Sequence, residues 1–180
     1  MSEVLIGGIE KRQIVIVDYD PDWPAKFERH AAVLSQALGP KALTIEHVGS
    51  TSVPGLAAKP IIDIVVVVAD SADESSYLEA LVASGYVLRV REPDWHEHRM
   101  FRTPELDVHV HLFSTGCVEL TRHLIFRNWL RTHPEDRLHY ESVKRSLAQE
   151  DWTDMNAYAN AKSEVVEDII ARASPDLAVP

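Results

Sequence analysis

The stretch that decides the fold runs from Ile45 to Ile64 and reads IEHVGSTSVPGLAAKPIIDI. Residues 42–48 predict a strand, and the Gly, Ser, Thr and Pro residues of 49–60 predict a loop that could contain one helical turn. Residues 61–69 are apolar and mostly β-branched except at Asp63, which is typical of a central strand covered on both faces. A strand, a Gly-Ser turn and a buried return strand therefore form the predicted centre of the domain.

The turn Gly49-Ser50-Thr51-Ser52 is the first candidate site. A turn directly after a strand can present backbone N–H groups and hydroxyls to an anion, and a glycine lets a phosphate approach the backbone closely. The alternative is an ordinary turn in which Ser50 or Thr51 caps a short helix.

Asp63 is the second candidate, because a carboxylate inside an apolar strand is costly unless it is paired, hydrogen-bonded or bound to a metal. Lys59 or Arg99 could pair with it in a buried ion pair. Asp63 follows Gly49 by 14 residues, a typical length for a turn, a short helix and a return strand. We therefore expect the turn and the carboxylate to lie side by side, which favours a site.

The rest of the chain shows strands first and helices later. Short strands are predicted at 14–17, 86–90, 98–102 and 107–113, and helices at 23–38, from Asp70 or Ser71 to Gly85, and over 119–173 with breaks at His133-Pro134 and 151–154. This order predicts an α/β (α+β) sheet with a C-terminal helical layer. We expect a lead-in at 1–13 and one domain at 14–174, with the sheet core at about 14–113 and the helical layer at about 119–174.

The strand at 107–113 carries the third candidate site. Strand side chains alternate, so Asp107, His109 and His111 share one face. Two imidazoles and a carboxylate in this arrangement can chelate a divalent metal ion. The alternative is a polar face that is simply exposed to solvent.

Basic side chains are spread over the later part of the chain. His98 and Arg99 lie on opposite faces of a predicted strand, and two helical pairs, Arg127 with Arg131 and Tyr140 with Lys144, are each four residues apart and share a face. They could line an electropositive pocket for phosphates, or they could be solvated surface groups.

Composition limits the range of functions. The 180 residues carry 18 Lys and Arg against 28 Asp and Glu, a net charge of −10, which disfavours broad binding to nucleic acid or anionic membranes. The single cysteine, Cys117, cannot form an internal disulfide. We see neither a signal peptide nor an apolar run long enough to span a bilayer, and expect a cytoplasmic protein.

The residues together resemble the GrpB family. The match is carried by the 45–64 stretch and by further landmarks in the same order: Tyr19–Trp23, Gly85-Tyr86, His98-Arg99, His109-Val110-His111, Phe126–Arg131, Tyr140–Lys144 and Tyr158–Lys162. That family is similar to the nucleotidyltransferase superfamily, and the resemblance implies a nucleotidyltransferase-like mixed sheet flanked by helices.

In that superfamily a Gly-Ser turn holds a triphosphate and three strand carboxylates hold two Mg²⁺ ions. The resemblance makes Gly49 and Ser50 the turn and Asp63 the first carboxylate, and it places the third on the 107–111 strand. The second carboxylate position holds Val65. Loss of that ligand leaves three outcomes: a single metal suffices, His109 and His111 rebuild the site, or the fold binds nucleotide without turnover.

The predicted function is a metal-dependent, nucleotidyltransferase-like protein that binds a nucleotide or another phosphorylated small molecule and could transfer a nucleoside monophosphate to a small acceptor. The alternatives are a nucleotide-binding or accessory domain without catalysis, and a His/Asp metal-dependent hydrolase. The expected cofactor is Mg²⁺ or Mn²⁺, with Zn²⁺ as a further option. Phosphate ligands are predicted at Gly49, Ser50, Thr51, Ser52, Lys59, Arg99, Arg127 and Lys144, metal ligands at Asp63, Asp107, His109 and His111, and catalytic groups at Asp63, His47 and His98.

Overall fold

The computed structural model describes residues 4–152 and 154–174. Its centre is a mixed sheet of five strands, in the spatial order β1-β2-β5-β4-β3. The parallel pair is β2 with β5, and the other neighbours are antiparallel. The strands are β1 (Thr44–Val48), β2 (Ile62–Val68), β3 (Val87–Glu92), β4 (His98–Arg102) and β5 (Val108–Ser114). The predicted α/β class with a mixed sheet is confirmed.

Within the described ranges, six α-helices pack around the sheet. They are α1 (Trp23–Leu38), α2 (Leu78–Ala83), α3 (Val118–Thr132), α4 (Pro134–Leu147), α5 (Met155–Ala161) and α6 (Ser163–Ala173). The break before α4 falls at Pro134, where proline occupies the first helical turn. The Asp154 side chain caps α5 by accepting from the Ala157 N–H at 2.8 Å. The helices after residue 118 form the predicted C-terminal layer.

Side-chain alternation divides β2 between two cores. Ile62, Ile64, Val66 and Val68 pack with α1 and α2. Val65 and Val67 face the other way and pack with Val48 and Phe113 beneath α3. Asp63 shares this second face, and β5 alternates in step, with Val110 on the α1 side and His111 beside Val65. The buried apolar face fixes the register, so Asp63, His109 and His111 all point toward the C-terminal helices.

Two predicted elements are wrong in extent. Ile14–Val17 is not a strand: Val17 alone pairs, through two 2.9 Å hydrogen bonds with Ala58. The helix expected from Asp70 or Ser71 begins only at Leu78, because the Ser71 N–H and hydroxyl are tied to the Ser114 hydroxyl at 2.9 Å.

The described part of the predicted lead-in, residues 4–13, lies against the sheet edge. Leu5 forms a bridge with Val90, and the Arg91 N–H donates to the Val4 carbonyl at 2.9 Å. Residues 1–3 lie outside the described part of the chain. Among the described helices, none combines the length and apolar character needed to cross a membrane.

Candidate metal and anion site

Asp63, His109 and His111 come together at one end of the parallel pair. Asp63 lies opposite His109 in the register, and His111 follows two residues later on the same face. The Asp63 Oδ1 atom is 3.6 Å from His109 Nδ1 and 3.4 Å from His111 Nε2. Within the described residues this is the one group of three His, Cys, Asp or Glu whose ligand atoms all lie within 4.8 Å of one another.

The two imidazoles keep the Asp63 carboxylate ionised. Burial alone would raise the pKa of Asp63, but hydrogen bonds from His109 and His111 and their charge outweigh burial and hold that pKa well below its usual range. An ionised oxygen between two imidazole nitrogens is a donor set that suits a divalent cation.

The backbone of Gly49 packs directly against the Asp63 carboxylate. The glycine has a φ of 71°, and a Cβ there would lie 2.8 Å from Asp63 Oδ2. The sequence suggested that the missing side chain admits a phosphate, but the atom that comes closest is the carboxylate oxygen. The turn and Asp63 are therefore side by side, as the 14-residue spacing predicted.

A cavity of about 590 Å³ opens above the three ligands. Strands β2, β4 and β5 supply its floor, and the C-terminal helices and the N-terminal segment supply its walls. Its lining includes the predicted residues Gly49, Ser50, Thr51, Lys59, Asp63, His98, His109, His111 and Lys144.

Three lysines project into this cavity from separate segments. Lys59 precedes β2, Lys144 belongs to α4, and Lys162 lies between α5 and α6. Burial, together with the other lysine charges, lowers the pKa of Lys144 to about 7 and that of Lys59 to about 8. Burial also lowers the pKa of Lys162. Among the described residues none of the three ammonium groups has a carboxylate oxygen within 4 Å, and the Asp63 charge acts on Lys59 and Lys162 only from a greater distance.

Two tyrosines support the lysines. The Lys59 and Lys162 ammonium groups each lie 5.1 Å from the Tyr158 ring centre, and the Lys144 ammonium group lies 4.8 Å from the Tyr140 ring. The Lys144 Nζ also donates to the Ser50 hydroxyl at 3.0 Å. The Tyr158 hydroxyl is buried at the cavity and has no hydrogen-bond partner among the described residues. A buried hydroxyl without a partner is a polar group that a water molecule or a ligand would have to satisfy.

Several predicted residues lie elsewhere. His47 faces α1, where its ring stacks on Phe27 at 4.9 Å and its Nε2 atom lies 2.9 Å from the Thr51 hydroxyl. Burial lowers the pKa of His47 to about 4. The Ser52 hydroxyl donates to the Gly49 carbonyl oxygen at 2.5 Å and does not line the cavity.

Arg99 and Arg127 are engaged by carboxylates outside the cavity. Arg99 lies on the α1 side of β4 and donates to Glu74 at 2.6 Å. Arg127 donates to Glu46 and to the His47 carbonyl, both at 2.9 Å. These ion pairs explain two of the basic residues as structural contacts.

Asp107 does not join the metal-capable group, and its inclusion in the predicted ligand set needs correction. It precedes β5, its carboxylate accepts from the Thr103 hydroxyl at 2.6 Å, and it is paired with Lys26 of α1. Asp107 therefore turns away from the face that its spacing from His109 suggested.

The cavity also contains residues that the sequence did not single out as ligands: Lys162, Tyr158, Arg102, Glu10 and His123. Tyr158 and Lys162 repeat the four-residue spacing of Tyr140 and Lys144, which is the signal that could have found them. Glu10 came from the lead-in, and its carboxylate takes both arms of the Arg102 guanidinium at 2.7 and 2.9 Å.

Known proteins resemble this chain over almost its full length. A UPF0157 protein from Halalkalibacterium halodurans is 51% identical over 176 residues, which cover 97% of this chain and 90% of that protein. The crystal structure of conserved protein GrpB from Enterococcus faecalis superposes with a TM-score of 0.76 at 32% identity, over 88% of this chain and 98% of that one.

A more distant structure, the GLD-2/RNP-8 complex, gives a TM-score of 0.60 at 14% identity, over 91% of this chain and 56% of that one, and agrees with the nucleotidyltransferase-like fold. The GrpB protein family matches residues 13–172. That span contains the Gly-Ser turn, Asp63, the His-x-His strand and the lysine-bearing helices. With the family match, the shared fold and the close relative in agreement, the chain belongs to the GrpB family.

Proposed function

We propose that this protein binds a divalent metal ion through Asp63, His109 and His111 and a nucleotide or another phosphorylated small molecule in the cavity above them. The observation that carries the proposal is the meeting of that ligand group with three lysines that have no carboxylate partner among the described residues. Positive charge that is partly removed from water is costly unless an anion compensates it. A phosphate chain supplies such an anion and also provides oxygen ligands for a metal ion.

The donor set determines which metal fits. One carboxylate and two imidazoles suit Mn²⁺, Fe²⁺ or Zn²⁺ better than Mg²⁺, which prefers carboxylate, phosphate and water oxygens. Val65, at the predicted second carboxylate position, is fully buried against Val48 and Phe113 and offers no ligand. We therefore propose one ion, which when bound would polarise a phosphoryl oxygen as a Lewis acid.

The phosphate ligands follow from the same geometry. The Ser50 hydroxyl sits beside the Lys144 ammonium group, and Lys59 and Lys162 flank the Tyr158 ring. Ammonium and hydroxyl groups donate to phosphate oxygens without restricting the rest of the ligand. This chemistry supports a phosphorylated small molecule and does not select a base.

Binding can be tested by calorimetry with Mn²⁺ or Zn²⁺, and then with each of the four nucleoside triphosphates in the presence of the metal. Asp63→Asn should weaken metal binding by more than about tenfold, because it removes an ionised ligand. Asp107→Asn is the matched control, since it removes a carboxylate just before β5 that pairs with Lys26 and Thr103 and does not touch the ligand group. Equal metal affinity in Asp63→Asn and wild type would overturn the metal site.

The anion arm has its own pair of variants. Lys162→Met should weaken triphosphate binding with little effect on metal affinity, whereas Lys41→Met should change neither, because Lys41 is exposed and binds the Ser76 carbonyl. If Lys162→Met binds triphosphate as tightly as wild type, the cavity is not the anion site.

Transfer of a nucleoside monophosphate to a small acceptor is the finer form of the proposal. A labelled-triphosphate screen over small alcohols and amines, with Mn²⁺ and Zn²⁺, tests it. Metal-dependent binding without any transfer would instead favour the non-catalytic binding domain, for which Val65 is the supporting observation.

A further inference from the structure

A line of hydrogen-bonding groups leads from the edge of the sheet to the proposed metal ligands. The Glu92 Oε2 atom lies 2.7 Å from His98 Nδ1, His98 Nε2 lies 3.0 Å from His111 Nδ1, and His111 Nε2 lies 3.4 Å from Asp63 Oδ1. Every ring nitrogen in this line faces a partner.

We infer that Glu92 and His98 are positioning residues that hold His111 with its Nε2 lone pair toward Asp63, as a ligand for the metal ion. This inference rests on the proposed function, because it assigns a role to residues around that same metal site. It names two residues that lie outside the ligand group and act through His111.

The direction of the hydrogen bonds follows from the chemistry of each group. A neutral imidazole that binds a metal through Nε2 carries its hydrogen on Nδ1. The acceptor within reach of His111 Nδ1 is His98 Nε2, and that atom can accept only if the hydrogen of His98 is on Nδ1. A carboxylate accepts, so Glu92 is the matching partner for that hydrogen.

Starting from Glu92 instead of from the metal ligand gives the same positions for the hydrogens. Glu92 draws the hydrogen of His98 to Nδ1, which leaves Nε2 as an acceptor, and this draws the hydrogen of His111 to its own Nδ1. The Nε2 lone pair of His111 then faces an ionised carboxylate oxygen 3.4 Å away. Two electron-rich atoms at that distance repel each other unless a positive charge lies between them. Without a metal ion it is a proton on Nε2, through which His111 hydrogen-bonds Asp63; a bound metal ion takes the place of that proton.

Packing fixes the intermediate ring. His98 is 5% exposed, stacks on Phe113 with ring centres 4.9 Å apart, and meets the edge of Trp95 at 5.2 Å. Glu92 lies directly opposite His98 in the β3–β4 register. The Glu92–His98 pair is therefore built into a rigid part of the sheet, whereas His109 makes no second hydrogen bond among the described residues.

The test compares zinc affinities, measured by competition with a chelator, in the full-length protein. His98→Phe keeps an aromatic ring against Phe113 but removes the acceptor for His111, and Glu92→Leu removes the acceptor for His98. Each should weaken zinc binding by about 10–100-fold. Glu92→Gln should stay close to wild type, because its amide oxygen can still accept. The control His30→Phe removes a histidine that pairs with Tyr86 beside α1, and should leave zinc affinity unchanged.

A second measurement observes the hydrogens directly. In ¹⁵N-histidine-labelled, zinc-loaded protein, the nitrogen spectrum should show His111 with its hydrogen on Nδ1 and the metal on Nε2, and this pattern should be lost or broadened in His98→Phe. A folding defect alone would not change the ligating nitrogen.

The outcomes separate this inference from the proposed function. If wild type binds no divalent metal, both are overturned. If wild type binds zinc but His98→Phe and Glu92→Leu bind it equally well, or if His111 binds through Nδ1, the positioning role is overturned and the metal site stands.

Discussion

Replacing Gly49 by alanine should disturb Asp63 directly, because the glycine and the carboxylate share the same space. A Cβ at this position would lie 2.8 Å from Asp63 Oδ2 and 3.3 Å from Asp63 Cβ. The carboxylate belongs to a short side chain on a central strand, so it cannot withdraw without leaving His109 and His111. The substitution should therefore both strain the backbone at residue 49 and displace the Asp63 carboxylate from the ligand group.

The expected loss of stability is the sum of a backbone-strain cost and a packing cost. Gly49 combines a φ of 71° with a ψ of −172°, a backbone region that is essentially restricted to glycine, so alanine there costs about 1–3 kcal/mol. The contact with the carboxylate adds an overpacking cost of about 1–3 kcal/mol. We expect a total loss of about 2–6 kcal/mol in the free energy of unfolding, a large share of the roughly 5–15 kcal/mol that stabilises a domain.

Gly55→Ala is the matched control. Gly55 has a φ of 79°, and a Cβ there would meet no atom within 4 Å. This variant should lose only the strain term, about 1–2 kcal/mol. Urea unfolding measures both stabilities, and calorimetry with Zn²⁺ measures whether the ligand group survives. Gly49→Ala should lose more stability than Gly55→Ala and bind Zn²⁺ more than about tenfold more weakly.

Equal losses of stability in the two variants, combined with wild-type zinc affinity in Gly49→Ala, would refute this reasoning. That result would mean that Asp63 can move away from the turn at no cost. The packing of the turn against the carboxylate would then not hold the ligand in place.

Three further predictions concern the charges of the cavity. Because burial lowers the pKa of Lys144 from 10.5 to about 7, the unfolded chain binds more protons between these values. The free energy of unfolding should therefore rise from pH 7 to pH 10, by about 1.4 kcal/mol per unit from this group, and urea unfolding of Lys144→Met should show a shallower rise; an equal slope would contradict the assignment. Glu10→Ala frees the Arg102 guanidinium, so calorimetry should show pyrophosphate bound severalfold more tightly, and weaker binding would count against a phosphate cavity. Val65→Asp, which restores the missing carboxylate, should lower the free energy of unfolding by about 3 kcal/mol or more, and unchanged stability in urea would show that the position tolerates charge.

Local patterns predicted much of the site, but only within each segment. The alternation of 107–113 correctly placed His109 and His111 on one face, and the apolar run around Asp63 correctly predicted a central strand. The pairing of these two strands brings together residues 48 positions apart in sequence, and no local pattern specifies it. The grouping of Asp63 with His109 and His111 can therefore be seen only once the pairing of β2 with β5 is known.

The wrong predictions for Asp107 and Arg99 arise because a strand pattern does not specify where the strand begins or which residues contact its side chains. Asp107 was assigned to a strand face, but the strand begins at Val108, and Thr103 and Lys26 capture its carboxylate first. The prediction that Arg99 binds phosphate is wrong. A strand pattern shows on which face of the sheet a side chain lies, but not which residue it contacts there. That neighbour, Glu74, belongs to a short turn inside the region that the sequence pattern predicts as a helix.

The register explains how this chain could use a nucleotidyltransferase-like fold without the second carboxylate. Val65 lies opposite His111, so the ligand missing from β2 faces a ligand present on β5. In the proposed function, most of the metal ligands therefore lie on β5 rather than on β2. This set of three ligands would hold one metal ion rather than two ions bridged by a shared carboxylate. In two-metal phosphoryl transfer the second ion stabilises charge on the reacting oxygens. In the function proposed here, Lys59, Lys144 and Lys162 are the groups that supply this positive charge, and their lack of carboxylate partners among the described residues leaves it available to the phosphate. Loss of one lysine should therefore weaken phosphate binding while leaving the metal in place, because the lysines are not among the metal ligands.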